Sequence, residues 1–155
     1  MQLTNRRVHL MGTVIDVSIY HKQPEPLLDQ VEALLNLYNK RFSANDDSSE
    51  LMKINKAAGL HPVKIHPELF ELISLGKWHS CQPGSHLNIA IGPLIQTWRI
   101  GFSDARLPFP EEITLLLDII NPNAIVLSEE NQSVFLQEKG MKIDLGALAK
   151  GYIAD

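Results

Sequence analysis

The chain has 155 residues, with 14 Lys plus Arg against 18 Asp plus Glu, a formal net charge of −4, and 45% hydrophobic against 21% charged residues. That is the balance of a cored globular domain. It carries no basic stripe of the kind that tracks phosphates, which excludes a DNA or RNA partner, and no apolar run near the ~20 residues that a spanning helix needs.

The first strand signal runs from Val8 to Tyr20, where Ile15, Val17 and Ile19 alternate with Asp16, Ser18 and Tyr20 at a period of two. Gly12 reads as a bulge within it. Pro24 and Pro26 open a helix with Leu27, Leu28, Val31, Leu34, Leu35, Tyr38 and Phe42 at steps of three and four. Turn formers fill 43–49, and Asp47 with Glu50 reads as a capping box for a short helix through Lys56, closed by Gly59. A short strand follows over Val63 to Ile65. His66-Pro67 starts a second long helix whose apolar stripe is Leu69, Phe70, Leu72, Ile73 and Trp78, and Gln82-Pro83-Gly84 ends it. Leu87 to Ile91 reads as a strand broken by Gly92-Pro93, and Pro108 and Pro110 introduce a helix through about Ile120. The tail reads as a meander, with strands over Ala124 to Leu127, Ser133 to Gln137 and Met141 to Asp144, before a helix starts beyond Leu145. Six short strands and four or five helices without regular alternation predict an α+β fold with a mostly antiparallel sheet, and no boundary divides residues 1–155. Nothing follows the last helix to cover it, which suggests part of a larger protein.

Cys81 stands alone, which excludes a disulfide within the chain and an all-Cys zinc site. Residues 1–20 show no apolar h-region and no cleavage site, so the chain reads as cytoplasmic by sequence or as lacking its leader, and the compartment stays open. Common signatures are absent; the 146–151 spacing resembles a P-loop, but Tyr152 stands where its Lys belongs. His79, Cys81 and His86 lie close in sequence but match no closed zinc site and read as a surface loop. The junction Ile143 to Gly151 is the better candidate. A helix N-terminus offers unpaired N–H groups, Asp144 can accept from a ligand or help hold a cation, and Lys150 can reach a phosphate. The competing reading makes Asp144 an N-cap and Lys150 a solvated charge, and spacing alone favours it.

Four segments together resemble the ApbE family of FAD:protein FMN transferases. They are Met11-Gly12-Thr13; Arg41-Phe42-Ser43 with Ser49-Glu50-Leu51; Ile91-Gly92-Pro93-Leu94 with Trp98 and Gly101-Phe102; and Asp144-Leu145-Gly146-Ala147 with Ala149-Lys150-Gly151-Tyr152. The resemblance implies a T-fold-like α+β domain that binds FAD, uses Mg²⁺, and moves FMN onto a Thr hydroxyl of a partner protein with release of AMP. It implies that Met11 contacts the flavin through its backbone where Gly12 permits approach, and that Asp144 bonds the nucleotide. Lys150 then lies close to the FAD, and the Ala147 carbonyl ligates Mg²⁺. Leu87 and Asn88 fall at another nucleotide-binding position, where relatives usually carry Phe-Asp; Asn88 keeps an acceptor but not the charge. Asn45 replaces a Tyr that stacks on the nucleotide in many relatives, which implies looser FAD retention and access for water.

Relatives are about twice as long, and their later half supplies an Asp and a Thr that complete the metal site, with a candidate base. Catalytic residues are therefore expected beyond residue 155, and this chain alone is expected to transfer little or no flavin. The acceptor is expected to be a membrane-associated redox protein, since family members are often exported and membrane-anchored. An FAD hydrolase yielding FMN and AMP, a non-catalytic flavin-binding module and a ligand-free interaction domain are the alternatives.

Overall fold

The computed structural model describes residues 1–155. Strands β1 (Gln2–Leu10) and β2 (Thr13–His21) form an antiparallel hairpin, with Val8 opposite Ile15 and Leu10 opposite Thr13. The single bulged strand expected over Val8 to Tyr20 is therefore a strand pair. Met11 and Gly12 both take left-handed backbone, at φ 52° and 70°, and two such residues in succession reverse the chain in a turn that matches the strand twist.

Helix α1 (Glu25–Phe42) follows the predicted stripe and buries Leu28, Leu35 and Phe42, with Lys40 and Arg41 at its electronegative C-terminal end. Arg6 of β1 ties the hairpin to α1 by reaching Glu25, Asp29 and Glu32 at 2.8, 2.6 and 3.1 Å. Helix α2 (Glu50–Lys56) is capped by Ser49, whose Oγ accepts from Met52 N–H, and not by the predicted Asp47. Asp47 lies exposed and pairs with Lys56.

β3 (Val63–Lys64) leads to α3 (Pro67–Ser80), capped by His66. Its buried residues Leu69, Leu72, Ile73 and Gly76 recur at helical spacing, and Trp78 falls off that stripe: it is 59% exposed rather than core, with its ring against the edge of His79. Gly92-Pro93 ends the extended segment as expected, and does so by beginning helix α4 (Gly92–Trp98), with Pro in the first turn where a missing N–H is harmless. α5 (Pro110–Leu117) and a single 3-10 turn at Pro122–Ala124 precede β4 (Ile125–Ser128) and β5 (Ser133–Leu136); α6 (Ala149–Ala154) comes last.

β5 lies between β3 and β4, antiparallel to both. The chain thus has five strands in two sheets, not six. Leu87–Ile91 and Met141–Asp144 run side by side without forming a ladder: they share one parallel bridge, Ile91 to Lys142. Asn88 explains half of this, because its side chain takes Ala90 N–H at 2.8 Å and curls the segment locally.

The core lies between α2, α3 and the three-stranded sheet. Leu51, Ile54, Leu69, Leu72, Ile73, Ile125, Val134, Leu136 and Ile143 are each at most 1% exposed. Tyr152 of α6 joins this body through a cluster with Tyr38 and Phe42, at centroid distances of 6.5 and 5.6 Å.

Candidate functional site

The hairpin turn is held from below by α1. Met11 N–H donates to Asn39 Oδ1 at 3.0 Å, and Asn39 Nδ2 donates to Asp46 Oδ2 at 3.1 Å. Asp46 Oδ1 accepts from Ser48 Oγ at 2.7 Å and from Ser48 N–H at 2.9 Å. The Ser48 hydroxyl and amide, then Asn39, hold the Asp46 carboxyl below the usual carboxylate range, so it stays charged. Above this framework lies an open groove of about 470 Å³, lined among others by His9, Met11, Thr13, Asn39, Asn45 and Asp46. Its size falls within the range of small-molecule sites. Gly12 is required twice: by its φ, and because a Cβ there would stand 2.9 Å from Asn45 Nδ2.

A second group forms where residues 87–90 meet 142–147. Asp144 N–H donates to Ile89 O at 2.9 Å, and Asp144 Oδ1 accepts from Gly146 N–H at 2.8 Å. This closes an Asx turn ahead of α6, so Asp144 does not cap the helix; Leu148 stands at the cap position, with no side-chain bond. Asp144 is half-buried, and its second carboxylate oxygen takes no hydrogen bond from the chain. Ala147 is exposed and no group donates to its carbonyl; Lys150 is exposed and makes no ion pair. Leu87 is half-buried, its N–H donating to Ser85 Oγ at 3.1 Å. Asn88 Nδ2 donates to Ile120 O at 2.8 Å, so with Ala90 on its oxygen both ends of that amide already bond backbone.

Helix α2 connects the two groups. At its start Ser49 Oγ donates to Ser43 O, in the groove wall, at 2.6 Å. At its end Asn55 Oδ1 accepts from Ile143 N–H at 2.7 Å, and Asn55 Nδ2 donates to Ile143 O at 3.0 Å. Met11, Gly12 and Asn45 thus line one groove, while the Asp144 to Gly146 turn, bonded to Ile89 and followed by Ala147, lies at the other end of α2; Leu87 and Asn88 precede Ile89 in the chain, and Lys150 follows in α6. Asn39, Asp46 and Asn55 are absent from the sequence reading. Asn39 sits unremarkably on the polar side of α1.

Arg41 and Glu50 prove to be supports. Arg41 pairs with Glu68, its guanidinium also faces His66 Nε2 at 3.2 Å, and Glu50 Oε2 accepts from His66 N–H. Phe102, from the Gly101-Phe102 segment, reaches the hairpin turn and lies under the Arg99 guanidinium at 4.5 Å.

At this turn the chain offers a cation the Ala147 carbonyl and the free Asp144 oxygen, and it places no three His, Cys, Asp or Glu side chains together to hold a metal. A cation that demands six oxygens in an octahedron does not fit that donor set alone.

The ApbE family model matches residues 11–155. An FAD:protein FMN transferase of Klebsiella pneumoniae (strain 342) is 42% identical over 146 residues, which cover 94% of this chain and 46% of that protein. A protein of the same name from Treponema pallidum (strain Nichols) is 32% identical over 155 residues, 94% of this chain and 43% of its own length. The chain spans a little under half the length of these curated relatives. Among solved structures, the ApbE protein of Thermotoga maritima superimposes with a TM-score of 0.85 at 24% identity, over 98% of this chain and 50% of that one. The flavin transferase ApbE of Vibrio cholerae gives 0.83 at 19%, over 98% and 50%. At those identities the likeness establishes the fold, a mixed α and antiparallel β arrangement shared with ApbE structures.

Proposed function

The chain belongs to the ApbE family, and from that premise we propose that residues 1–155 form the nucleotide-gripping part of an FAD:protein FMN transferase domain. The relatives' shared name supports flavin transfer to a protein. The observation that carries the reading for this chain is the link through α2: the groove at Met11, Gly12 and Asn45 is braced at Ser43 to the same short helix that grips Ile143, next to Asp144. A dinucleotide needs two such stations, one for each end.

In the proposed reaction a Thr oxygen of an acceptor protein attacks the FMN-side phosphorus of FAD. The bond from that phosphorus to the AMP-side bridging oxygen breaks, the Thr proton is lost to water or a base, and AMP leaves. The residues present bind and orient. Met11 offers backbone beside the flavin, the second oxygen of Asp144 accepts from the nucleotide, and Lys150 supplies positive charge near its phosphates. The Ala147 carbonyl would be one donor toward a Mg²⁺ ion whose remaining ligands come from elsewhere, and such an ion would supply neutralisation of phosphate charge. The acceptor we propose is a membrane-associated redox protein.

The test is titration of the chain with FAD, followed by quenching of flavin fluorescence. Saturable binding that Asp144→Ala weakens supports the reading; a flat titration overturns it. A second outcome, hydrolysis of FAD to FMN and AMP, is favoured by Asn45, which stands exposed at the groove and leaves its mouth open to water. Assaying AMP with and without a Thr-bearing acceptor separates the two.

A further inference from the structure

Asn55 is the one member of α2 that neither helix formation nor apolar packing explains. It is 6% exposed, and both the oxygen and the nitrogen of its amide bond one residue 88 positions away, the nitrogen also donating weakly to Met52 Sδ at 3.9 Å. The Ile143 N–H and carbonyl receive from this side chain the two hydrogen bonds that a neighbouring strand would otherwise give. This is also the other reason why residues 141–144 form no ladder. One residue later the backbone is taken from elsewhere, by Asp144 N–H donating to Ile89 O. The chain is therefore clamped at two successive residues, directly before the Asp144 to Gly146 turn and the open Ala147 carbonyl.

We infer that Asn55 is a positioning residue of the nucleotide site, which acts through Ile143 to fix where the free Asp144 oxygen and the Ala147 carbonyl stand relative to the groove at Met11, Gly12 and Asn45. The inference rests on the flavin-nucleotide reading above. Asn55 touches no ligand itself. Its lever is α2, seven residues and so about 10 Å long, whose opposite end is fastened to the groove wall by Ser49 and Ser43. Simple core filling does not account for it: Leu would fill the volume and leave a buried N–H and carbonyl unpaired. Asn55→Asp is the more informative change. It retains the acceptor for Ile143 N–H but turns a carboxylate oxygen toward Ile143 O, so the turn is pushed away while the helix remains.

The test has three arms. In the wild-type chain, FAD is expected to slow hydrogen exchange at the Ile143, Asp144 and Gly146 amides; unchanged exchange on saturation with FAD overturns the inference, and this arm needs no variant to fold. In the second arm Asn55→Asp is expected to weaken FAD binding by about tenfold or more, and to alter the visible absorption band of the bound flavin; wild-type affinity and spectrum overturn it. The third arm is Ile125→Val in β4, a fully buried change that lowers stability without touching either clamp. It is expected to bind FAD as the wild type does. Loss of affinity in proportion to stability in both variants reduces Asn55 to a structural role and overturns the proposal. If the wild-type chain fails to bind FAD at all, the flavin reading itself falls, a result that the first titration already distinguishes.

Discussion

At Gly12 the backbone and the site make the same demand. A Cβ there meets Asn45 Nδ2, the movable end of a side chain, so the larger penalty for Gly12→Ala comes from the left-handed φ of 70°. That penalty is about 1–2 kcal/mol and is read as a lower thermal midpoint. Displacement of Asn45 adds a weaker hold on FAD. Asn45 itself carries the opposite prediction. Restoring an aromatic ring by Asn45→Tyr supplies a stack worth about 1 kcal/mol, so FAD should bind roughly fivefold tighter and any release of AMP to water should slow, as measured by titration and by AMP assay. Residues of this kind were partly legible in the chain. The Met11-Gly12 pair stood out as a motif, yet its turn did not, because Gln2 to Arg7 carries too few apolar residues to announce a strand. Asn55 was illegible for a different reason: its partner is 88 residues distant, and no local pattern encodes a side chain that replaces a strand.

Among the elements, α1 was the easiest to read because burial imposes a 3.6-residue period over five turns, while α6 depends on its tertiary anchors. A helix of six residues is too short to persist alone. Tyr152 holds it, ring against Tyr38 and Phe42 and hydroxyl donating to Glu71 Oε2 at 2.9 Å. Burial first, and then the Glu71 carboxylate, push the Tyr152 phenol up to about 12. Since the folded value lies above the unfolded value near 10, the contribution is complete below about pH 10 and disappears as pH rises toward 12. Tyr152→Phe should therefore be less stable than the wild type at neutral pH, with the gap narrowing between pH 10 and 12 in denaturant unfolding curves. The segments 87–91 and 141–144 were misread as strands because their apolar runs are genuine: Ile89, Ala90, Met141 and Ile143 are buried, and the Asn88 and Asn55 amides, the Ser80 hydroxyl and scattered backbone bonds satisfy the main chain in place of a ladder.

For the molecule as a whole, the α+β class followed from the order of elements, whereas the division into a free hairpin and a separate three-stranded sheet did not, since pairing between β3 and β5 joins residues 63 and 134. The donor set leads to the last expectation. With no three carboxylate, His or Cys side chains gathered to complete a Mg²⁺ site, the chain incubated with FAD, Mg²⁺ and a Thr-bearing acceptor should yield no covalently flavinylated product by in-gel fluorescence, even where FAD itself binds. A strong fluorescent band would show that these residues suffice.

The clamp between Asn55 and Ile143 also dictates timing during synthesis. At about 5–20 residues added per second, Asn55 is made roughly 4–18 s before its partner 88 residues on exists. Throughout that interval the amide destined for the interior has only water to bond, and the turn that depends on it has no shape. The proposed nucleotide site therefore takes shape only once Ile143 has been made.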